Sequence, residues 1–147
     1  MEGGGADVVG VDAADEVCAA LLVQLHARGF EYRHELLLHR RCLAVVGGTA
    51  QRIYEAGGCG YGVQITRGNT VWLYCHGKGT YYVNNGATVN TGARIMLSGN
   101  TGSSTGPHLH IQVKINGVKR CPQPLLVAAW RGQTYDPQNM PTSGCTS

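Results

Sequence analysis

With 147 residues the chain is about one domain long, since domains most often run roughly 100–150 residues, and this argues against a multidomain machine. Hydrophobic residues make up 43% and charged residues 14%, enough to bury a core and too little charge for a typical disordered segment; the net charge is +3. No apolar run approaches the roughly 18–20 residues that cross a bilayer, so the sequence excludes a spanning helix.

The first element in chain order is a helix over about residues 13–28. Ala and Leu are frequent there, Asp12 or Asp15 can cap its start, Gly29 stands at its end, and Val17, Leu21 and Leu25 recur on one face. Residues 30–42 are ambiguous between a buried strand and a short helix. After Leu43 the texture changes to short β-prone runs cut by glycine, of which the chain has 22 without a three-residue period. The strands predicted are 43–46, 50–55, 62–66, 70–76, 81–83, 94–97 and 108–115. Gly57-Gly58, Asn84-Asn85-Gly86 and Asn116-Gly117 serve as turns, and the last is a two-residue hairpin signal. A short helix near Leu125–Trp130 follows. The organisation is an atypical N-terminal segment (1–42), a β-rich domain (43–134) and an irregular, surface-lying tail (135–147).

Charge is unevenly spread. The acids Glu2, Asp7, Asp12, Asp15 and Glu16 open the chain, whereas from Leu36 onward Glu55 and Asp136 are the only acids among ten bases. This balance favours an anionic partner such as nucleic acid or a bacterial wall polymer. The bases are scattered without interleaved aromatics, which argues against nucleic acid.

The six cysteines, Cys18, Cys42, Cys59, Cys75, Cys121 and Cys145, contain no CxxC pair, which disfavours a structural zinc knuckle. Their even number points to disulfides and an oxidising compartment, the alternative being buried thiols in a cytosolic protein. Met1–Asp15 is acidic and Gly-rich with no basic stretch ahead of an apolar one, so no signal peptide is visible; either the protein is not classically secreted or the chain lacks its true beginning.

The stretch richest in chemistry is Ser98-Gly-Asn-Thr-Gly-Ser-Ser-Thr-Gly-Pro-His108-Leu-His110-Ile-Gln-Val. A Gly/Ser-rich loop that lets backbone approach a ligand runs through Pro107 into a strand whose alternate residues are histidine, so His108 and His110 share one face while Leu109 and Ile111 anchor the other. An HxH pair is also common on ordinary surface strands. The full string resembles the signature of the lysostaphin/LytM-type zinc endopeptidases, which cleave cross-bridge or stem peptides of peptidoglycan. The likeness extends upstream through Gly60-Tyr-Gly-Val-Gln-Ile65, Trp72-Leu-Tyr-Cys-His76 and Gly86-Ala-Thr-Val-Asn-Thr-Gly92, covering about residues 43–119.

That resemblance implies a mainly β fold, an antiparallel sheet or sandwich with a groove across it, to which the N-terminal helix is added. It implies a zinc cofactor with His110 as ligand, and His76 and His108 as catalytic imidazoles that handle protons and stabilise the oxyanion. Tyr61, Asn100, Thr101, Ser104 and Thr105 would contact substrate. The expected activity is hydrolysis of peptidoglycan peptide bonds by a monomer acting outside the cell or in the wall.

The family's upstream His-x-x-x-Asp element, which supplies two further ligands, has no counterpart. Val8-Val9-Gly10-Val11-Asp12-Ala13-Ala14 is closest in wording, with valine in the histidine position and Asp12 as the matching carboxylate. His26, His34 and His39 are positional alternatives. Three explanations compete: an N-terminal region mis-assembled or truncated at the level of the gene model, a substitute ligand from those histidines, or a degenerate domain that binds wall without cutting it. A disulfide-stapled structural protein with an incidental His pair is the remaining class.

Overall fold

The computed structural model describes residues 41–145, which form one eight-stranded antiparallel sheet, one α-helix and a 3-10 turn. The helix read over 13–28 lies outside the described residues. The strands are β1 (Arg41–Leu43), β2 (Gly48–Glu55), β3 (Gly60–Arg67), β4 (Thr70–Tyr81), β5 (Thr88–Val89), β6 (Arg94–Ser98), β7 (His110–Ile115) and β8 (Val118–Arg120), and the helix α1 is Gln123–Trp130. The main path runs β1-β6-β4-β3-β2-β5, with β7 on β4 and β8 on β7.

Alternation in the sequence explains the core. Val63 and Ile65 on β3, Trp72 and Tyr74 on β4, and Val113 and Ile115 on β7 are buried, while Gln64, Leu73 and Gln112 between them are half-exposed on the opposite face. Register aligns Ile65 with Trp72 and Trp72 with Val113, so large apolar side chains meet on one side of the sheet. Leu125 from α1 and Met140 complete that layer. The Asn116-Gly117 hairpin is as expected, both residues having positive φ (51° and 77°), which matches the twist of the paired strands β7 and β8.

Three departures from the strand expectations have local causes. Ala44–Val46 are buried core residues but not strand, because the chain bends after β1: Ala44 exchanges backbone bonds with Ala93 and Gly92, and the Val45 amide is satisfied by the buried Tyr74 hydroxyl at 2.9 Å. Tyr81 ends the long β4 instead of beginning a separate strand. Strand β7 starts at His110 and not at His108, which contributes an isolated bridge to Gly99.

The tail is irregular apart from the 3-10 turn Pro137–Asn139, yet it does not merely lie on the surface. Met140 is fully buried, Arg120 Nη1 donates to the Met140 carbonyl at 2.8 Å, and Cys121 is disulfide-bonded to Cys145.

Strand β4 forks the sheet. Along one side it pairs with β3; along the other its first half (Thr70–Cys75) pairs with β7 and its later part (Gly77 and Tyr81) with β6. The loop of residues 99–109 joins β6 to β7 at the point where they part.

Candidate active site

The fork is where the histidines collect. Gly77 pairs with Ser98 on one branch and Cys75 with His110 on the other, leaving His76 between them. Its ring centroid lies 4.6 Å from that of His108 and 6.0 Å from that of His110. The structure thus brings together the three imidazoles singled out in the sequence. His76 is buried, His108 half-buried and His110 exposed.

His76 has a φ of 65°, a left-handed conformation that costs a non-glycine residue on the order of 1–3 kcal/mol. The surroundings hold it there. Its amide donates to the Cys59 carbonyl at 2.7 Å, and the neighbouring Cys75 is disulfide-bonded to Cys59. Its ring nitrogen Nδ1 lies 2.7 Å from the Thr101 carbonyl. A carbonyl can only accept, so Nδ1 carries the proton in this bond and the neutral ring keeps its lone pair on Nε2.

His108 is held in the same manner. Its Nδ1 donates to the Gly106 carbonyl at 2.8 Å, with the Ser104 hydroxyl 3.1 Å away. Ser104 Oγ is also within bonding distance of Asn100 Oδ1 (2.6 Å) and the Gly106 carbonyl (2.9 Å), which ties both ends of the loop together. Gly102, at φ 76°, packs where a Cβ would collide with the backbone of Gly58 and Gly60, so the loop seats directly on the turn before β3.

Burial pushes the His76 pKa below its ordinary 6.5, with His108 adding to the effect and the Thr101 carbonyl opposing it. His110 is lowered too, by partial desolvation first and then by His76, His108 and Lys119, although the residue is open to solvent on one side. Near neutral pH His76 and His110 are therefore neutral, each with a nitrogen lone pair to offer.

The residues expected to contact substrate fall in several settings. Asn100 and Thr105 are exposed on the loop and Ser104 is half-buried in its hydrogen-bond network. Tyr61 stacks at 4.6 Å from the exposed Tyr54. The Thr101 hydroxyl is taken up by backbone, accepting from the Tyr61 amide at 3.1 Å and donating to the Gly77 carbonyl at 2.5 Å. Asp12, His26, His34 and His39 lie outside the described residues.

A catalytic zinc needs about three protein ligands plus an open position. Among the described residues no group of three or more His, Cys, Asp or Glu side chains is arranged to hold a metal ion. The acids there, Glu55 and Asp136, belong to the β2 end and to the tail, where Asp136 caps the 3-10 turn. The described residues alone therefore do not fit a complete zinc site.

The sequence profile of Peptidase family M23 matches residues 37–122, more than half of the chain. The chain belongs to peptidase family M23. This agrees with the resemblance carried by the loop and HLH string. The M23 chain is 44% identical over 89 residues to an uncharacterized metalloprotease of Haemophilus influenzae, a match covering 58% of this chain and 18% of that relative. It is 46% identical over 56 residues to the peptidoglycan DD-endopeptidase ShyA of Vibrio cholerae, covering 37% and 13% respectively. It thus spans less than a fifth of the length of either. Among solved structures it is similar to the catalytic domain of lysostaphin from Staphylococcus simulans, with a TM-score of 0.51 and 30% identity over 60% of this chain and 71% of that one.

Two features of the site were not drawn from the sequence. The Cys59–Cys75 bridge was hidden among many possible pairings, and its one local signal was that Cys75 directly precedes His76. The backbone acceptors at Thr101 and Gly106 carry no residue-type signal, because any residue has a carbonyl.

Proposed function

We propose that this M23 chain hydrolyses peptide bonds of bacterial peptidoglycan, in a cross-bridge or stem peptide, and does so as a zinc peptidase outside the cytoplasm. The observation that carries the reading is the convergence of His76, His108 and His110 at the fork of β4, with two Nδ1 atoms pinned to loop carbonyls. The M23 assignment and the curated relative that is a peptidoglycan endopeptidase supply the substrate class.

An imidazole fixed in this way can take a proton from an attacking water through Nε2 and later return it to the departing amine; in the protonated state the same nitrogen can donate to an oxyanion. His76 and His108 are assigned those roles. His110 is assigned to the metal. The remaining ligands must come from beyond residues 41–145, with Asp12, His26, His34 and His39 as candidates. Asn100 and Thr105, exposed on the loop, are assigned to substrate contact together with Ser104 and Tyr61. Two disulfides support an oxidising compartment, and the described residues contain no helix long and apolar enough to cross a membrane. We take the active form to be a monomer.

The test is digestion of purified cell walls by the full chain, with released fragments identified by mass spectrometry and metal content measured on the same sample. New peptide ends that vanish on chelation and in His110→Ala support the proposal. The incomplete ligand set among the described residues favours a second reading, a degenerate wall-binding module. Metal-free protein that sediments with walls and releases no peptide ends would establish that reading instead.

A further inference from the structure

The ladder between β3 and β4 slips beside the site: Tyr61 faces Gly77, yet Val63 faces Tyr74. In a regular antiparallel pair, alternate facing residues exchange both amide–carbonyl bonds directly. Here a side chain from elsewhere bridges the pair. The Thr101 hydroxyl accepts from the Tyr61 amide at 3.1 Å and donates to the Gly77 carbonyl at 2.5 Å, a contact across 40 residues of sequence on one side and 24 on the other. A single hydroxyl offers both functions, and threonine and serine are the small residues that have one.

The same residue touches His76 through its main chain. The Thr101 carbonyl is the acceptor for His76 Nδ1 at 2.7 Å. Around it the loop is docked on the turn before β3 by the Ser103 amide donating to the Gly58 carbonyl at 2.8 Å. The hydroxyl therefore anchors to β3 and β4 the peptide that orients the imidazole.

We propose that Thr101 is a positioning residue: its hydroxyl bridges the slipped β3–β4 ladder and thereby holds the carbonyl that keeps His76 in its Nδ1–H tautomer with Nε2 unprotonated. The consequence for catalysis rests on the proton-handling role proposed for His76, whereas the tautomer itself can be read without any turnover. With its one proton and one of its two lone pairs engaged on backbone, the hydroxyl has no donor left to offer a substrate, so Thr101 acts through His76.

The experiment uses the full chain labelled with 15N, reading the His76 imidazole nitrogens by NMR at neutral pH in the unmodified protein, Thr101→Ser and Thr101→Val. The Nδ1–H tautomer is expected in the first two and a mixture of tautomers in Thr101→Val. In wall-peptide hydrolysis, Thr101→Val is expected to lower kcat on the order of tenfold to a hundredfold, as for a reacting group misplaced by up to about 1 Å. KM should stay within about twofold, and Thr101→Ser should recover most of the rate. An Nε2–H tautomer in the unmodified chain overturns the proposal, as does a Thr101→Val protein that keeps the Nδ1–H tautomer and changes KM alone. Should Thr101→Val fail to fold, the tautomers of the unmodified chain and of Thr101→Ser still decide. A chain inactive on every wall peptide would overturn the proposed function while leaving the imidazole spectra to settle Thr101.

Discussion

His76 on β4 and His108 at the end of the loop before β7 lie more than thirty residues apart, yet each donates an Nδ1–H bond to a carbonyl of that loop, Thr101 for one and Gly106 for the other. That arrangement and the burial of the imidazoles each make one prediction at the level of single residues. If His108 moves a proton during hydrolysis, His108→Ala should lower kcat by about 10²–10⁴ with the fold intact, measured as release of peptide ends beside a circular dichroism spectrum. Stability should also depend on pH through His76 and His110, whose folded pKa values lie below the unfolded 6.5. The unfolded chain then binds more protons, so stability is fully present above about pH 6.5 and falls as the pH drops from there toward the lowered folded values. Urea midpoints at pH 7.5 and pH 5 should show the protein weaker at the lower value, and His76→Gln should narrow the difference.

Strand β4 is the element on which the site depends. Its pairing with β7 before His76 and with β6 after it opens the fork that gathers the imidazoles, and the Cys59–Cys75 bridge ties it to the turn before β3. That bridge closes a loop with a sequence separation of 16, for which chain-entropy arguments give about 3 kcal/mol. The double variant Cys59→Ser/Cys75→Ser should lose roughly that much in denaturant unfolding. It should also lose peptidase activity at temperatures where it remains folded, because the Cys59 carbonyl that receives the His76 amide is no longer tethered. Unchanged activity at full foldedness would show that the His76 backbone holds itself. Most strands were legible from period-two alternation, since Val63, Ile65, Trp72, Tyr74, Val113 and Ile115 must share a buried face. The bend at Ala44–Val46 and the late start of β7 were not, because both follow from long-range hydrogen bonds, to Ala93 and Tyr74 in the first case and Gly99 in the second.

Over the whole molecule, the excess of basic over acidic residues after Leu36 should draw the chain to an anionic wall. Sedimentation with purified walls is expected to weaken steadily as salt is raised through about 0.1–1 M, where the Debye length falls from about 10 Å to about 3 Å. Binding indifferent to salt would mean that contact with peptide, not charge, supplies the affinity. The second bridge, Cys121–Cys145, together with Arg120 and the buried Met140, straps the C-terminal segment to the sheet.

The residue string around His108 and His110 was enough to place the chain in its family, because a glycine-rich loop, a proline and alternating histidines at fixed spacing form a local pattern that survives in one dimension. Alternation likewise determined which residues could face a core. The family resemblance also named His76 beside His108, whereas the tertiary structure alone decided that Cys59 pairs with Cys75 and that the Thr101 hydroxyl bridges two strands. Each of these joins positions far apart along the chain through backbone atoms or common residue types, and nothing in the local sequence distinguishes such partners until the sheet brings them together.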